Sequence, residues 1–346
     1  MKTTIFEGPG KMVVKEVPTP TIQHEGDAII KVVRACVCGS DLWWYRGISE
    51  REIGSSAGHE AIGIVKRVGS AVTEVVPGDF VIVPFTHGCG HCQACLSGFD
   101  GDCLKPVEGS TGYQAEYLRY TNANWGLVKV PGQPEDYTSE QLADLLTLAD
   151  VMATGYHAAT TAEVKPGDTA VVVGDGAVGL CGVISAKLRG AKRIIIMSRH
   201  EDRQQLALKF GATDVISERG EEGIEKVMEL TGAGADAALE CVGSQLSLET
   251  AIKAVRPGGV VGRVGVPHID QIDTNDLFWK NIGLRGGIAA VTTYDRERLL
   301  EAVLNGEIHP GQVFTQFFPL ADVELAYEAM DQRKAIKSLL VMPDFA

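Results

Sequence analysis

Val171-Val-Val-Gly-Asp-Gly-Ala-Val-Gly179 decides the fold. Three β-branched residues end at Gly174, and glycines at 174, 176 and 179 give the spacing G-x-G-x-x-G. Thr169–Val173 reads as a strand buried on both faces. Ala177–Leu188 carries apolar residues at helical spacing without a proline. Gly174 permits the tight turn, Gly176 lets backbone approach a pyrophosphate, and Gly179 lets helix and strand pack closely. The unpaired N–H groups of the helix start, around Ala177 and Val178, would face the phosphates. The stretch therefore predicts a dinucleotide site.

Downstream, strand patterns recur at Arg193–Met197, Asp214–Ile216, Ala235–Glu240, Gly259–Val264 and Ile282–Gly286. Helical patterns fill most gaps, at Asp202–Phe210, Glu222–Leu230 and Ser247–Val255. That alternation predicts an α/β fold, a mostly parallel sheet covered on both faces in two three-strand halves. Upstream, short strands at Met12–Val17, Ala28–Val33, Ala61–Val68 and Phe80–Val83 predict a small barrel-like β domain. A helical region begins at Leu142 and runs on to about Thr161. The tail has helices at Arg296–Leu304 and Val323–Met330 and a strand at Ser338–Met342, and is expected to pack back on the first domain. The expected domains are 1–152, 153–290 for the dinucleotide, and 291–346 returning to the first.

Composition narrows the function. The chain is 45 % hydrophobic and 22 % charged, as a globular protein is, and its formal net charge of −13 argues against nucleic-acid and anionic-membrane partners. No run of 18 apolar residues and no export signal is visible, so a cytoplasmic protein is expected, with its eight cysteines as ligands or core residues rather than disulfides.

Residues 86–112 form a loop with four cysteines and little periodicity. Cys89, Cys92, Cys95 and Cys103, spaced x2, x2 and x7, can surround a zinc ion with no open position, which makes a structural site. An iron–sulfur cluster is the chemical rival. A second, dispersed set of candidates is Cys36, Cys38, His59, Glu60, His87 and many further acids; spacing alone does not choose among them.

Taken in order, the marks are Cys38-Gly-Ser-Asp41, Gly58-His-Glu-Ala-Ile-Gly63, Pro77-Gly-Asp79, the four-cysteine loop, Thr154-Gly-Tyr156, the glycine motif and a late lysine at 337. Together they resemble the zinc-dependent medium-chain dehydrogenase/reductase family, the alcohol and polyol dehydrogenases, over essentially the whole chain. The resemblance implies a GroES-like β-rich catalytic domain beside a Rossmann domain. It also implies one catalytic zinc, held by Cys38, His59 and Asp150 with Glu60 able to join or exchange, and one structural zinc in the cysteine loop. Asp41 would orient His59. Ser40 would pass the proton of an alcohol. Many relatives have a histidine where this chain has Trp43, so the proton must leave by another route. Trp43 and Phe85 would line the substrate pocket and favour an apolar or aromatic substrate, whereas Trp44 is expected in the core. The resemblance places Thr154 and Val266 beside the coenzyme and Lys337 at its phosphates.

The strand Arg193–Met197 ends in Ser198-Arg199-His200 with no carboxylate at its tip, where NAD-binding chains hold the ribose diol. Serine and arginine suit a 2′-phosphate, with Arg203 assisting, so NADP(H) is expected over NAD(H). The expected activity is reversible hydride transfer between NADP(H) and a primary or secondary alcohol, its aldehyde or ketone. Alternatives are a polyol, butanediol or threonine-type dehydrogenase, a zinc-free enone or quinone reductase, and an NADPH-binding protein without turnover. A homotetramer, or else a homodimer, is expected, with the stretch from Trp279 to Ala290 as a pairing edge.

Overall fold

The computed structural model describes residues 1–105, 110, 112–269, 271–289 and 293–345. The chain divides into two compact units, Met1–Asp150 with Ala290–Ala346, and Val151–Ala289.

The second unit holds a six-stranded parallel sheet. From edge to edge its strands are Asp214–Ile216, Arg193–Met197, Thr169–Val173, Ala235–Glu240, Val255–Arg263 and Gly283–Gly286. In chain order that is 3-2-1-4-5-6, the doubly wound dinucleotide arrangement, whose ligand crevice lies where the order reverses. Val171, Val172, Ile195 and Ile196 are fully buried, as strands covered on both faces require. Helix Ala177–Leu188 starts directly after Gly176. A Cβ on Gly179 would lie 1.9 Å from the Gly174 carbonyl oxygen, so only glycine allows this approach of helix to turn. The fifth strand begins at Val255 rather than at Gly259 as expected: Pro257, Gly258 and Gly259 lie within it, and a register shift between Ala235 and Ala237 absorbs them.

The first unit is built on a seven-stranded sheet. Its path runs Phe314–Pro319, Lys337–Val341, Ala28–Cys36, Ala61–Val68, Phe80–Val83 and Val128–Val130, with Tyr117–Tyr120 also paired to Ala28–Cys36. The tail thus enters this sheet, and Leu339 pairs with Cys36. Phe6, Trp44, Tyr45, Tyr113, Tyr120 and Tyr327 anchor the core of this unit, and Trp44 is a core residue as expected. Residues 86–105 hold one short helix, Gln93–Leu96, and one tight turn, Asp100–Asp102; positions 106–109 and 111 of the expected loop lie outside the described residues.

The helical region expected without interruption from Leu142 to Thr161 is two helices. Ser139–Thr147, capped by the Thr138 hydroxyl and Gln141, is followed by Val151–Thr161. The break at 148–150 frees Asp150 from a helical position. Among the described residues, no helix is long and apolar enough to cross a membrane.

Candidate active site

Cys38 follows the strand Ala28–Cys36, and His59 and Glu60 immediately precede Ala61–Val68, the strand paired with it. Asp150 joins them from the helix break. Gly58 turns the chain into His59 with φ of +87°, where a Cβ would meet Gln114 Cγ at 2.5 Å. One donor atom from each of Cys38, His59, Glu60 and Asp150 lies within 4.8 Å of all the others. Asp150 Oδ2 is 3.5 Å from Cys38 Sγ and 3.4 Å from His59 Nε2.

The charge balance of this cluster suits a cation. Burial pushes the Cys38 thiol up, and the Asp150 charge adds to it. Burial likewise raises Glu60, against the pull of Lys337. Burial alone would depress His59, but the charges of Cys38 and Asp41 outweigh it and hold its proton affinity well above the usual value. Three acidic side chains crowd one buried space, and a divalent ion would relieve their mutual repulsion. Glu60 Oε2 is buried with no hydrogen-bond partner. The sulfur, nitrogen and carboxylate donors are those zinc takes, so the residues fit the metal.

Supporting contacts are built behind the cluster. Asp41 Oδ1 is 3.7 Å from His59 Nδ1, while Asp41 Oδ2 accepts from the Cys38 N–H at 3.1 Å and from the Tyr327 hydroxyl at 3.5 Å. Gln114 binds the same Tyr327 hydroxyl and donates to the Cys36 carbonyl at 2.9 Å. Tyr327 and Gln114 escaped the sequence reading, since nothing local marks two core residues 213 positions apart as partners. Phe85 stands edge-on to His59, with ring centroids 6.0 Å apart. Trp43 is half-buried in the short helix Asp41–Tyr45, and the Ser40 hydroxyl at its start makes no capping bond. Cys36 is a buried thiol, and His87 joins neither cluster. His87 Nε2 accepts from the Ser110 N–H at 3.0 Å, and burial lowers its pKa to about 4.

Lys337 differs from the expectation. Its Nζ donates to Glu60 Oε1 at 2.7 Å and to the Val37 carbonyl at 3.1 Å, and lysine and glutamate are both fully buried. The pairing of the tail strand with Ala28–Cys36 delivers it behind the cluster. A lysine committed there is not open to a coenzyme phosphate. Lys337→Ala is expected to leave Glu60 buried and unpaired, at a cost of about 3–5 kcal/mol read from the denaturant midpoint. A lysine serving coenzyme phosphates would instead weaken coenzyme binding with the midpoint unmoved.

In the cysteine loop all four sulfurs lie within 4.8 Å of one another. Cys92 Sγ is 3.5 Å from Cys95 Sγ and 3.8 Å from Cys103 Sγ, and Cys89 Sγ is 4.0 Å from Cys95 Sγ. Tetrahedral zinc with bonds of about 2.3 Å sets its sulfurs about 3.8 Å apart, so the cage has the size for a single ion. The Cys89 N–H donates to Cys103 Sγ and the Cys92 N–H to Cys89 Sγ, both at 3.3 Å. A hydrogen bond from the Cys95 backbone leads in lowering the Cys92 pKa to about 6. His91 points elsewhere, to the Cys89 carbonyl and Lys105. None of the eight cysteines forms a disulfide.

In the second unit the tip of Arg193–Met197 is occupied. The Ser198 hydroxyl donates to Asp175 Oδ2 at 2.7 Å, and Arg203 Nη1 donates to Asp175 Oδ1 at 3.2 Å and to its carbonyl at 3.3 Å. Ser198 and Arg203, expected to hold a 2′-phosphate, are therefore both engaged by an acid of the glycine turn. Arg199 is exposed, His200 precedes the helix Glu201–Phe210 without capping it, Thr154 is buried in Val151–Thr161, and Val266 is half exposed.

Against known proteins, the chain matches the family model for the alcohol dehydrogenase GroES-like domain over residues 24–132 and that for zinc-binding dehydrogenase over 177–305. It is 35 % identical to zinc-type alcohol dehydrogenase B of Aspergillus flavus, covering 97 % of this chain and 80 % of that one. The chain belongs to the zinc-dependent medium-chain dehydrogenase/reductase family. Among solved structures, alcohol dehydrogenase TADH from Thermus sp. ATN1 superposes with a TM-score of 0.89 at 32 % identity, over 99 % of this chain and all of that one. Benzyl alcohol dehydrogenase from Acinetobacter calcoaceticus gives 0.85 at 25 % identity, over 99 % of each chain. The two sheets described above are accordingly a GroES-like domain and a Rossmann domain, and the chemistry of this alcohol dehydrogenase family is that of a zinc- and nicotinamide-dependent oxidoreductase.

Proposed function

We propose that this chain catalyses reversible hydride transfer between a nicotinamide dinucleotide and an apolar or aromatic alcohol, its aldehyde or its ketone. The convergence of Cys38, His59, Glu60 and Asp150 on one point supports this reading most directly. When bound there, zinc supplies Lewis acidity toward an alcohol or carbonyl oxygen, and the nicotinamide takes or gives the hydride.

The chain's own residues would do the rest. Cys38, His59 and Asp150 hold the metal, and Glu60, anchored through Oε1 by Lys337, keeps Oε2 for joining or exchanging as a ligand. Asp41, with Oδ1 3.7 Å from Nδ1, would orient the His59 ring. Ser40 would relay the proton, its Oγ accepting that of the alcohol as its own passes to solvent, because Trp43 carries no titratable group. Phe85, edge-on to His59, and Trp43 would wall the substrate space, in keeping with the aromatic alcohol for which the Acinetobacter relative is named. A polyol offers several hydroxyls that such a wall leaves unpaired.

Initial rates with benzyl alcohol, simple secondary alcohols and sorbitol, each with both coenzymes on protein of known zinc content, test the reading. Aromatic or apolar alcohols are expected to exceed sorbitol in kcat/KM by about 100-fold or more, with turnover lost on chelation. Turnover that survives with the cysteine-loop zinc alone would favour a zinc-free enone or quinone reductase. Tight coenzyme binding without turnover would leave a binding protein.

The homotetramer, built from dimers, remains our proposal for the assembly. Gly283–Gly286 is an edge strand, and Phe278 and Trp279 just before it are 71 % and 76 % exposed. Trp279→Glu is expected to lower the mass seen in sedimentation; an unchanged mass would remove this edge from the interface. Eight cysteines without a disulfide suit the cytoplasm, where we place the protein.

A further inference from the structure

We propose that Asp175 selects the coenzyme, binding the adenosine ribose diol and excluding a 2′-phosphate, so that this chain uses NAD(H); the inference rests on the dehydrogenase reading above. In the doubly wound fold the acid that reads this diol ordinarily stands after the second strand. That strand ends here at Met197 with no acid following directly.

The geometry supplies the missing carboxylate from a different place. Asp175 lies between the first two glycines of the turn, and its Oδ2 is 2.7 Å from the hydroxyl of Ser198, the first residue beyond the second strand. A carboxylate from the first turn thus stands at the tip of the second strand. Arg203 holds it through the other carboxylate oxygen, Oδ1. Asp175 and Arg203 side chains are each 13 % exposed, so the pair is largely enclosed and its geometry is set by the fold.

Two consequences follow from this latch. A carboxylate has about four lone-pair sites, and Ser198 and Arg203 use two, leaving acceptor capacity for ribose hydroxyls. A 2′-phosphate would come against the Asp175 carboxylate and find Ser198 and Arg203 already engaged with it, so neither donor is free to answer the phosphate charge. Arg199 has no hydrogen-bond or ion-pair partner among the described residues, but it is exposed, where a single pairing contributes little.

The test is direct titration of the protein with NADH and with NADPH, followed by nicotinamide fluorescence and needing no substrate. The native protein is expected to bind NADH about tenfold or more tightly than NADPH, the scale of a hydrogen bond to a charged group. Asp175→Ser should weaken NADH and strengthen NADPH, bringing the two within about threefold or inverting them. Arg203→Ala should weaken both coenzymes, because it leaves Asp175 uncompensated beside the phosphates, and Arg199→Ala should change both alike. Preference for NADPH in the native protein, lost selectively in Arg199→Ala or Arg203→Ala, would overturn the proposal. So would an NADH-to-NADPH ratio that Asp175→Ser leaves unchanged. Should that variant not fold, the native ratio and the two arginine variants still decide. Binding of neither coenzyme would overturn the dehydrogenase reading itself, and this inference with it.

Discussion

Asp150→Ala is expected to lower the zinc content from two ions per chain to one and to cut kcat/KM by more than about 100-fold, beyond what losing an outer-shell partner of a metal ligand typically costs. Asp150 Oδ2 is the atom that both Cys38 Sγ and His59 Nε2 approach, at 3.5 and 3.4 Å, so its removal takes away the centre of the donor set. Glu60 Oε2 is open to join the metal, but with Oε1 held by Lys337 at 2.7 Å it replaces Asp150 only in part. The fold should survive. Asp150 lies in a break between helices, and removing one of several crowded acidic groups from a metal-free pocket relieves repulsion. Metal analysis and thermal unfolding on one preparation check both halves. A variant that keeps two zincs and normal turnover would contradict the ligand assignment.

Cys95→Ser is expected to have the complementary effect: the same loss of one zinc, but with damage to the loop rather than to the chemistry. Cys95 is 2 % exposed and its sulfur lies within 4.0 Å of those of Cys92 and Cys89. The segment around it has little apolar burial of its own, with Leu96 and Leu104 exposed at 71 % and 70 %. Metal binding must then hold what packing does not, and structural zinc supplies on the order of 10 kcal/mol to such segments. Limited proteolysis should open the chain between Cys89 and Leu104 in the variant and not in the native protein, while kcat falls less than in Asp150→Ala. Unchanged metal content with unchanged proteolysis would remove the structural-zinc reading.

The fold was legible wherever burial on both faces writes a continuous apolar run. Thr169–Val173, Arg193–Met197 and Phe80–Val83 all have the bounds that their β-branched residues suggest. The helix break at 148–150 was hidden because Leu148 and Ala149 fit a helix and neither proline nor glycine marks the stop. The early start of the fifth strand was hidden for the opposite reason, since Pro257 and Gly258 read as a terminator.

At the site, sequence left open whether Cys36, Cys38, His59, Glu60 or His87 belonged to one cluster. Pairing of Ala28–Cys36 with Ala61–Val68 is what brings Cys38, His59 and Glu60 together and leaves Cys36 inside the core. The roles of Lys337 and Asp175 were beyond reach, because their partners lie 277 positions away at Glu60 and 23 and 28 away at Ser198 and Arg203. Motif spacing names a residue type; only the tertiary contact says whether that residue is open to a ligand or already engaged.

The proposed metal centre of Cys38, His59 and Asp150 is separate from the cysteine loop. Anomalous scattering at the zinc edge, from crystals of the protein purified with zinc, tests it most directly. Two peaks per chain are expected, one among Cys89, Cys92, Cys95 and Cys103 and one in bonding distance of Cys38 Sγ, His59 Nε2 and Asp150. A single peak, confined to the cysteine loop in fully zinc-loaded protein, would contradict it.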